Sequence, residues 1–261
     1  MDQDTSPQNQ CPTAREAVQR FCDGCNCSQS VLSVFAERYG LDQSLAMRIA
    51  TGLGGGVGRM GGVCGTLTGA ALVQGLEQGP RTRLGRNAKE ETYAATRRLQ
   101  ERFIERHGSN QCRELLEKDL SIEAEYLQAR ELGLFKSRCP EYVETAVSLL
   151  DEWLEEKQAN MKQKILTMLE LQDAMNAKVN PDWRDAGYPW YRAIWTECAE
   201  MLDHYGWKWW KHQDPDMAQV HLELVDIWHF ALSDLILHND SMEKAEDQAL
   251  EGLMTQAGEV D

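Results

Sequence analysis

Two pairs of carboxylates, Glu197 with Glu200 and Glu223 with Asp226, each stand three residues apart in the stretch TECAEMLDHYGWKWWKHQDPDMAQVHLELVDIWHF. On a helix that spacing puts both acids of a pair on one face. Ile194, Trp195, Ala199 and Leu202 flank the first pair, and Leu222, Leu224, Val225, Ile227 and Phe230 flank the second. Acids set among so much apolar surface predict four carboxylates converging inside a helical bundle. Such groups repel one another and are costly to desolvate unless cations neutralise them. Oxygen-only ligation suits Mg²⁺ or Mn²⁺. A single acid pair reads more simply as solvated charge on an amphipathic helix. Two pairs, with 22 residues and a run of aromatics between them, favour the metal site.

A second set of reactive groups lies upstream, where seven of the eight cysteines fall between Cys11 and Cys139. Cys22, Cys25 and Cys27 form CDGCNC just before SQSVLSVFAERY, and Cys64 ends a glycine run before another apolar segment. A thiol at a helix start has its thiolate stabilised by the helix dipole and free N–H groups. Cys27 and Cys64 are therefore expected to be the most reactive thiols of the first domain. Such clusters outside a secretory context are more often redox or metal-binding than disulfide-forming, and burial as small hydrophobes stays open as the alternative. Nine glycines between Gly52 and Gly69 exclude ordinary helix over the middle of that stretch. Gly56, Gly58 and Gly61 satisfy GxGxxG, but the preceding SLAMRIA reads as helix, so a dinucleotide fingerprint lacks its strand.

Helices must position all of these groups. Apolar residues recur at helical spacing, as in Val31, Leu32, Phe35 and Tyr39 or Tyr142, Val143, Ala146, Leu149 and Leu150, while strand-like alternation is missing. The fold class expected is all-α. Asp42 is placed to cap LAMRIA, and Pro140 to open EYVETAVSLL as a first-turn proline. Seven of the eight tryptophans follow residue 160, whereas sixteen of the twenty glycines precede it. Two helical domains follow, 1–150 and 161–261, with the seam in DEWLEEKQANMKQK, a charged stretch without Pro or Gly that reads as a helical connector.

The formal charge of −15 is uneven: residues after Ala159 carry 8 basic and 19 acidic side chains. Nucleic-acid binding relies on Lys and Arg neutralising phosphates, so no nucleic-acid partner is expected. Phosphates would have to be handled through cations. No apolar run reaches the ~20 residues of a membrane span, and the polar opening MDQDTSPQNQCPT lacks the form of a secretory signal. A cytoplasmic protein is expected.

The segments FCDGCNCSQSVL, GLGGGVGRMGGVCGTLTGA, GSNQCRELL and CPEYV resemble the redox-active proteins named for their C, GCAxxG, C, C pattern, over about residues 14–148. The resemblance makes Cys27, Cys64, Cys112 and Cys139 the four pattern cysteines, with Cys22 and Cys25 as extras and Thr66 where the family usually has Ala. It implies a redox or metal role without naming a substrate.

LELQDAMN, YRAIWTECAEMLDHYGWKWWK and ELVDIWHFALS resemble the dimeric dUTPases of the all-α NTP pyrophosphatase superfamily, over about residues 163–238. By that resemblance Glu197, Glu200, Glu223 and Asp226 bind Mg²⁺, Gln172 and Asn176 contact the uracil and nearby sugar, and Trp209 and His229 line the nucleoside pocket. Lys208 and Lys211 are candidate phosphate partners. The implied activity is hydrolysis of dUTP to dUMP and pyrophosphate by a homodimer, with Glu197 nearest the attacking water. Family members continue beyond the WHF helix with a basic phosphate-binding segment that the sequence after HNDSMEKAEDQALEGLMTQAGEVD does not supply. An incomplete module with impaired turnover is thus expected. Two other readings stay open: a thiol redox or metal-binding protein whose C-terminal bundle only dimerises, and a pyrophosphatase with another base preference.

Overall fold

The computed structural model describes residues 11–82 and 85–256. It divides into two compact units, Met1–Glu155 and Glu156–Asp261. Both are built from helices, and among the described residues the only strand-like pairing is the isolated bridge Val63 to Gln111.

The first unit contains α1 (Pro12–Cys22), α2 (Cys27–Phe35), α3 (Gln43–Ala50), α4 (Gly65–Gln78), α5 (Arg86–His107), α6 (Cys112–Leu116), α7 (Glu123–Glu131), α8 (Leu134–Ser137) and the start of α9 (Cys139–Val179). Asp42 caps α3 through the Leu45 N–H at 2.9 Å, and Pro140 is the second residue of α9, both as the sequence predicts. Val31, Leu32, Phe35, Leu67, Val73, Phe103, Val147 and Leu150 form the main core. The approach of α2 to α4 depends on Gly69, where a Cβ would stand 2.8 Å from the Ser28 carbonyl oxygen. A second cluster gathers Leu116, Leu120 and Ala129 around Cys112 and Cys139.

The glycine run forms a one-turn 3₁₀ helix over Thr51–Leu53 and then a tight loop. Five consecutive residues, Gly55 to Arg59, all have φ between +60° and +71°. Glycine takes such backbone freely, whereas Val57 and Arg59 are strained in it, at a cost of order 1–3 kcal/mol each. The loop folds back so closely that a Cβ on Gly56 would lie 2.5 Å from the Gly62 nitrogen. Hydrogen bonds from Cys112 N to Gly62 O (2.7 Å) and from Cys64 N to Asn110 O (2.8 Å) tie it to the start of α6.

The division between the units falls within α9, which runs as helix through the charged stretch 151–164. In the second unit the rest of α9 joins α10 (Trp190–Tyr205), α11 (Met217–His238) and α12 (Met242–Gln256). Ile165, Leu169, Leu232, Ile236, Ala245 and Leu250 make its core, together with Trp183 from the turn between α9 and α10. No helix among the described residues is long and apolar enough to cross a membrane.

Candidate functional sites

Helices α10 and α11 pack against one another and carry one acid pair each. Carboxylate oxygens of Glu197, Glu223 and Asp226 all lie within 4.8 Å of one another. Burial raises the Glu197 carboxyl above its ordinary range, helped by a hydrogen bond with Glu223 and by the charges of Glu200, Glu223 and Asp226. The expectation of four carboxylates inside the bundle needs correcting. Only Glu223 is buried, at 7% exposure. Glu197 is half-buried, while Asp226 and Glu200 are exposed and Glu200 stands outside the close trio. The flanking apolar residues are no buried wall either: Trp195, Leu222, Leu224 and Val225 are exposed. The acids therefore meet where α10 crosses α11, on its solvent side. One imidazole serves them, His204 Nε2 at 3.5 Å from Glu223 Oε1. Sequence reasoning passed over His204, although it sits one turn beyond Glu200 and two beyond Glu197, on their face.

Beside the acids lies a cavity of about 420 Å³, and Asp226 belongs to both. Gln172, Asn176 and His229 supply its polar lining; Trp183, Tyr188, Trp190 and Phe230 supply its aromatic lining. Gln172 and Asn176, one turn apart on α9, are buried, at 3% and 8% exposure. Gln172 Nε2 donates to Asn176 Oδ1 (2.9 Å) and to Ser233 Oγ (3.1 Å), and its Oε1 faces His229 Nδ1. Asn176 Nδ2 donates to Ser233 Oγ at 2.9 Å, and the Ser233 hydroxyl donates to the His229 carbonyl at 3.0 Å. This network holds the amides rigidly before any ligand arrives. Trp190 packs against Trp183, Tyr188 and Phe230 with ring centroids 5.6–6.0 Å apart. Its indole nitrogen is buried without a hydrogen-bond partner, leaving a donor beside the cavity.

Other residues expected at this site lie elsewhere. Trp209 is 88% exposed in the turn after α10, edge-on to Trp210, and does not line the cavity. Lys208 is paired with Asp203 at 2.6 Å, and Lys211 is exposed in the same turn. The aromatics that do line the cavity come mostly from residues 183–190, a turn whose sequence has no helical period to reveal its direction.

In the first unit all four pattern cysteines stand at helix starts. Cys27 opens α2, Cys64 precedes α4, Cys112 opens α6 and Cys139 opens α9. Asn26 and Gln29 close a capping box around Cys27, with both bonds at 2.9 Å. A Cβ on Gly65 would lie 3.0 Å from the Cys27 Cβ, so glycine permits α4 to start against that thiol. Cys64, Cys112 and Cys139 are buried, whereas Cys27 is half-buried and lines a cavity of about 620 Å³ with Cys112 and Cys139. A hydrogen bond from Cys139 pulls the Cys27 thiol below its ordinary pKa despite burial, with the N–H groups of Cys27 and Gly55 assisting. Giving that bond, and then burial, push the Cys139 thiol up. Burial raises Cys64 and Cys112 to about 12. Of the two thiols expected to be most reactive, the structure thus lowers the pKa of Cys27 and raises that of Cys64, because at Cys64 burial and the neighbouring Cys27 outweigh the bonds from Thr66, at 3.3 Å from its Oγ1, and from the Leu67 N–H.

No curated protein and no solved structure matches the chain. Two family models do, one over each of the two resembling parts: residues 25–153 match the family described as "Putative redox-active protein (C_GCAxxG_C_C)", and residues 164–257 match the family described as "dUTPase".

Proposed function

We propose that the second unit binds dUTP together with Mg²⁺, or Mn²⁺, and hydrolyses it to dUMP and pyrophosphate, while the first performs thiol redox chemistry. The observation that carries the nucleotide reading is Asp226, shared by an all-carboxylate cluster and an aromatic cavity with buried amides. The donor set fits a hard divalent cation: three converging carboxylates, a single imidazole and no sulfur ligand. Glu197, Glu223 and Asp226 would hold the ion, with Glu200 adjacent. Bound there, it polarises phosphoryl oxygens and lowers the pKa of water.

The chain's own side chains do the rest. Trp190 and Tyr188 are the aromatic groups at hand for a planar base, and Asn176 is the amide at hand for its edge. Gln172 already makes three internal bonds, so it acts by fixing Asn176 and His229 or by exchanging one bond for the base. Glu197 is assigned the place next to the attacking water. Phosphoryl transfer requires mostly such positioning and charge neutralisation.

A homodimer accounts for the exposed apolar residues beside the acids, Trp195 at 70% among them. The reading in which the second unit only dimerises draws on the same surface, but it gives the cavity and the acid trio no role. Calorimetric titration with dUTP, dTTP and dCTP, with and without Mg²⁺, separates these readings. Magnesium-dependent preference for dUTP supports the proposal, and absence of nucleotide binding overturns it.

A further inference from the structure

The thiol cavity of the first unit is shaped for a particular kind of oxidant. Phe21, Leu116, Leu120, Tyr126 and Phe135 give it an apolar and aromatic lining. Arg59 is the one charged side chain among its lining residues, and its guanidinium lies 4.3 Å from the centre of the Tyr126 ring. Arg59 is also one of the two non-glycine residues in the left-handed turn, at φ +65°. Strain of that kind persists where surrounding structure enforces it, and it collects at ligand sites. A volume of about 620 Å³ matches a small-molecule pocket.

We propose that Cys27 and Cys139 form a dithiol–disulfide couple whose oxidant is a small aromatic disulfide carrying a negative charge, held in this cavity by its apolar lining and Arg59. This rests on the redox reading of the first unit and goes beyond it by naming the pair, the attacking sulfur and the substrate class. The Cys27 thiolate attacks one sulfur of the disulfide R–S–S–R′. The Cys27–S–R bond forms, the S–S bond breaks, and R′S⁻ leaves. The Cys139 sulfur then attacks the Cys27 sulfur, closing the Cys27–Cys139 bond and releasing RS⁻, while the Cys139 proton goes to one departing thiolate. Two protein thiols are oxidised and one disulfide is reduced, with two electrons transferred.

The assignment of roles follows from placement. Of the three thiols at the cavity only Cys27 belongs to a residue that is not fully buried, and Cys139, buried at the same cavity, is the group that acts most strongly on the Cys27 thiol. Cys64 does not line the cavity. A tetrahedral thiolate metal site would need sulfurs roughly 3.8 Å apart for metal–sulfur bonds of ~2.3 Å. Among the described residues no three cysteine sulfurs gather within 4.8 Å.

The test uses the full chain with Cys22→Ser and Cys25→Ser, reduced, freed of reductant and mixed with equimolar dithiobis(nitrobenzoate). Released nitrothiobenzoate is followed by absorbance, and the bonds formed are mapped on non-reduced peptides. The expected result is two thiolates released per reagent and a Cys27–Cys139 disulfide. Cys139→Ala should stop after one release, with a stable adduct on Cys27. The uncharged dithiobis(nitrobenzamide), whose leaving thiol is of similar acidity, should react at least ~10-fold more slowly, and Arg59→Gly, which suits the positive φ, should erase that preference. A bond between other cysteines, or equal rates for both reagents, overturns the proposal while sparing the redox reading. Inertness of all four pattern cysteines overturns both.

Discussion

The side-chain nitrogen of Gln172 donates to the side-chain oxygen of Asn176, one turn further along α9, at 2.9 Å, and both groups are buried. Ser233 and His229 of α11 complete the network from the other side. Gln172→Leu keeps the volume but takes away the partner of the Asn176 side-chain oxygen and of His229 Nδ1, which costs about 1–3 kcal/mol of stability. Thermal unfolding of the wild type and the variant measures this. An unchanged midpoint would mean that the network contributes little to holding the cavity.

Acid substitutions should be graded by position. Glu223 is buried within the trio and Glu200 is exposed beyond it. Glu200→Gln, as a neighbour of the ligands, should weaken Mg²⁺-dependent nucleotide binding by about 10- to 100-fold, and Glu223→Gln by more. Calorimetry at fixed Mg²⁺ gives the order, and equal or reversed losses would move the metal away from the trio.

The two tryptophans nearest the argument should behave oppositely. Trp190→Ala should cost roughly 1–3 kcal/mol in dUTP affinity, the usual worth of an aromatic partner to a base, with partial recovery in Trp190→Phe. Trp209→Ala, at an 88% exposed position, should leave stability within about 0.5 kcal/mol and nucleotide affinity unchanged. A loss of affinity in Trp209→Ala alone would place the base against the turn after α10.

Much of this was legible in the chain. The helical period, the Asp42 cap, the Pro140 start and the glycine loop all stand where the sequence puts them, because each is set by local chemistry. The ExxE and ExxD spacings likewise place acids on facing helices. What stayed hidden depends on tertiary geometry. Whether an apolar neighbour such as Leu222 or Trp195 is buried depends on which face α10 and α11 give each other, and flanking composition does not tell. Trp183 and Tyr188 reach the cavity through a turn without periodicity, and the pairing of His204 with Glu223 joins two helices across a loop. The contrast between Cys27 and Cys64, both at helix starts, comes from the hydrogen bond that Cys139 gives to Cys27, whereas at Cys64 burial prevails.

Cys27 offers a test by pH. Its thiol is held below the ordinary range by the Cys139 hydrogen bond, and only the thiolate is alkylated. Its alkylation rate should therefore level off at a pH below the ~8.5 of a free cysteine. Cys139→Ala removes the donor and should shift the inflection upward. Peptide-resolved iodoacetamide kinetics between pH 6 and about pH 10 give both curves, and identical inflections would deny Cys139 its role.

The most direct measurement of the central claim is pyrophosphate release from dUTP by the full chain, with and without Mg²⁺, alongside Glu223→Gln. The account predicts release that requires Mg²⁺, exceeds that from dTTP, yields dUMP in equal amount and disappears in Glu223→Gln. Absence of release from the wild type, or release indifferent to Mg²⁺ and to Glu223, would contradict it.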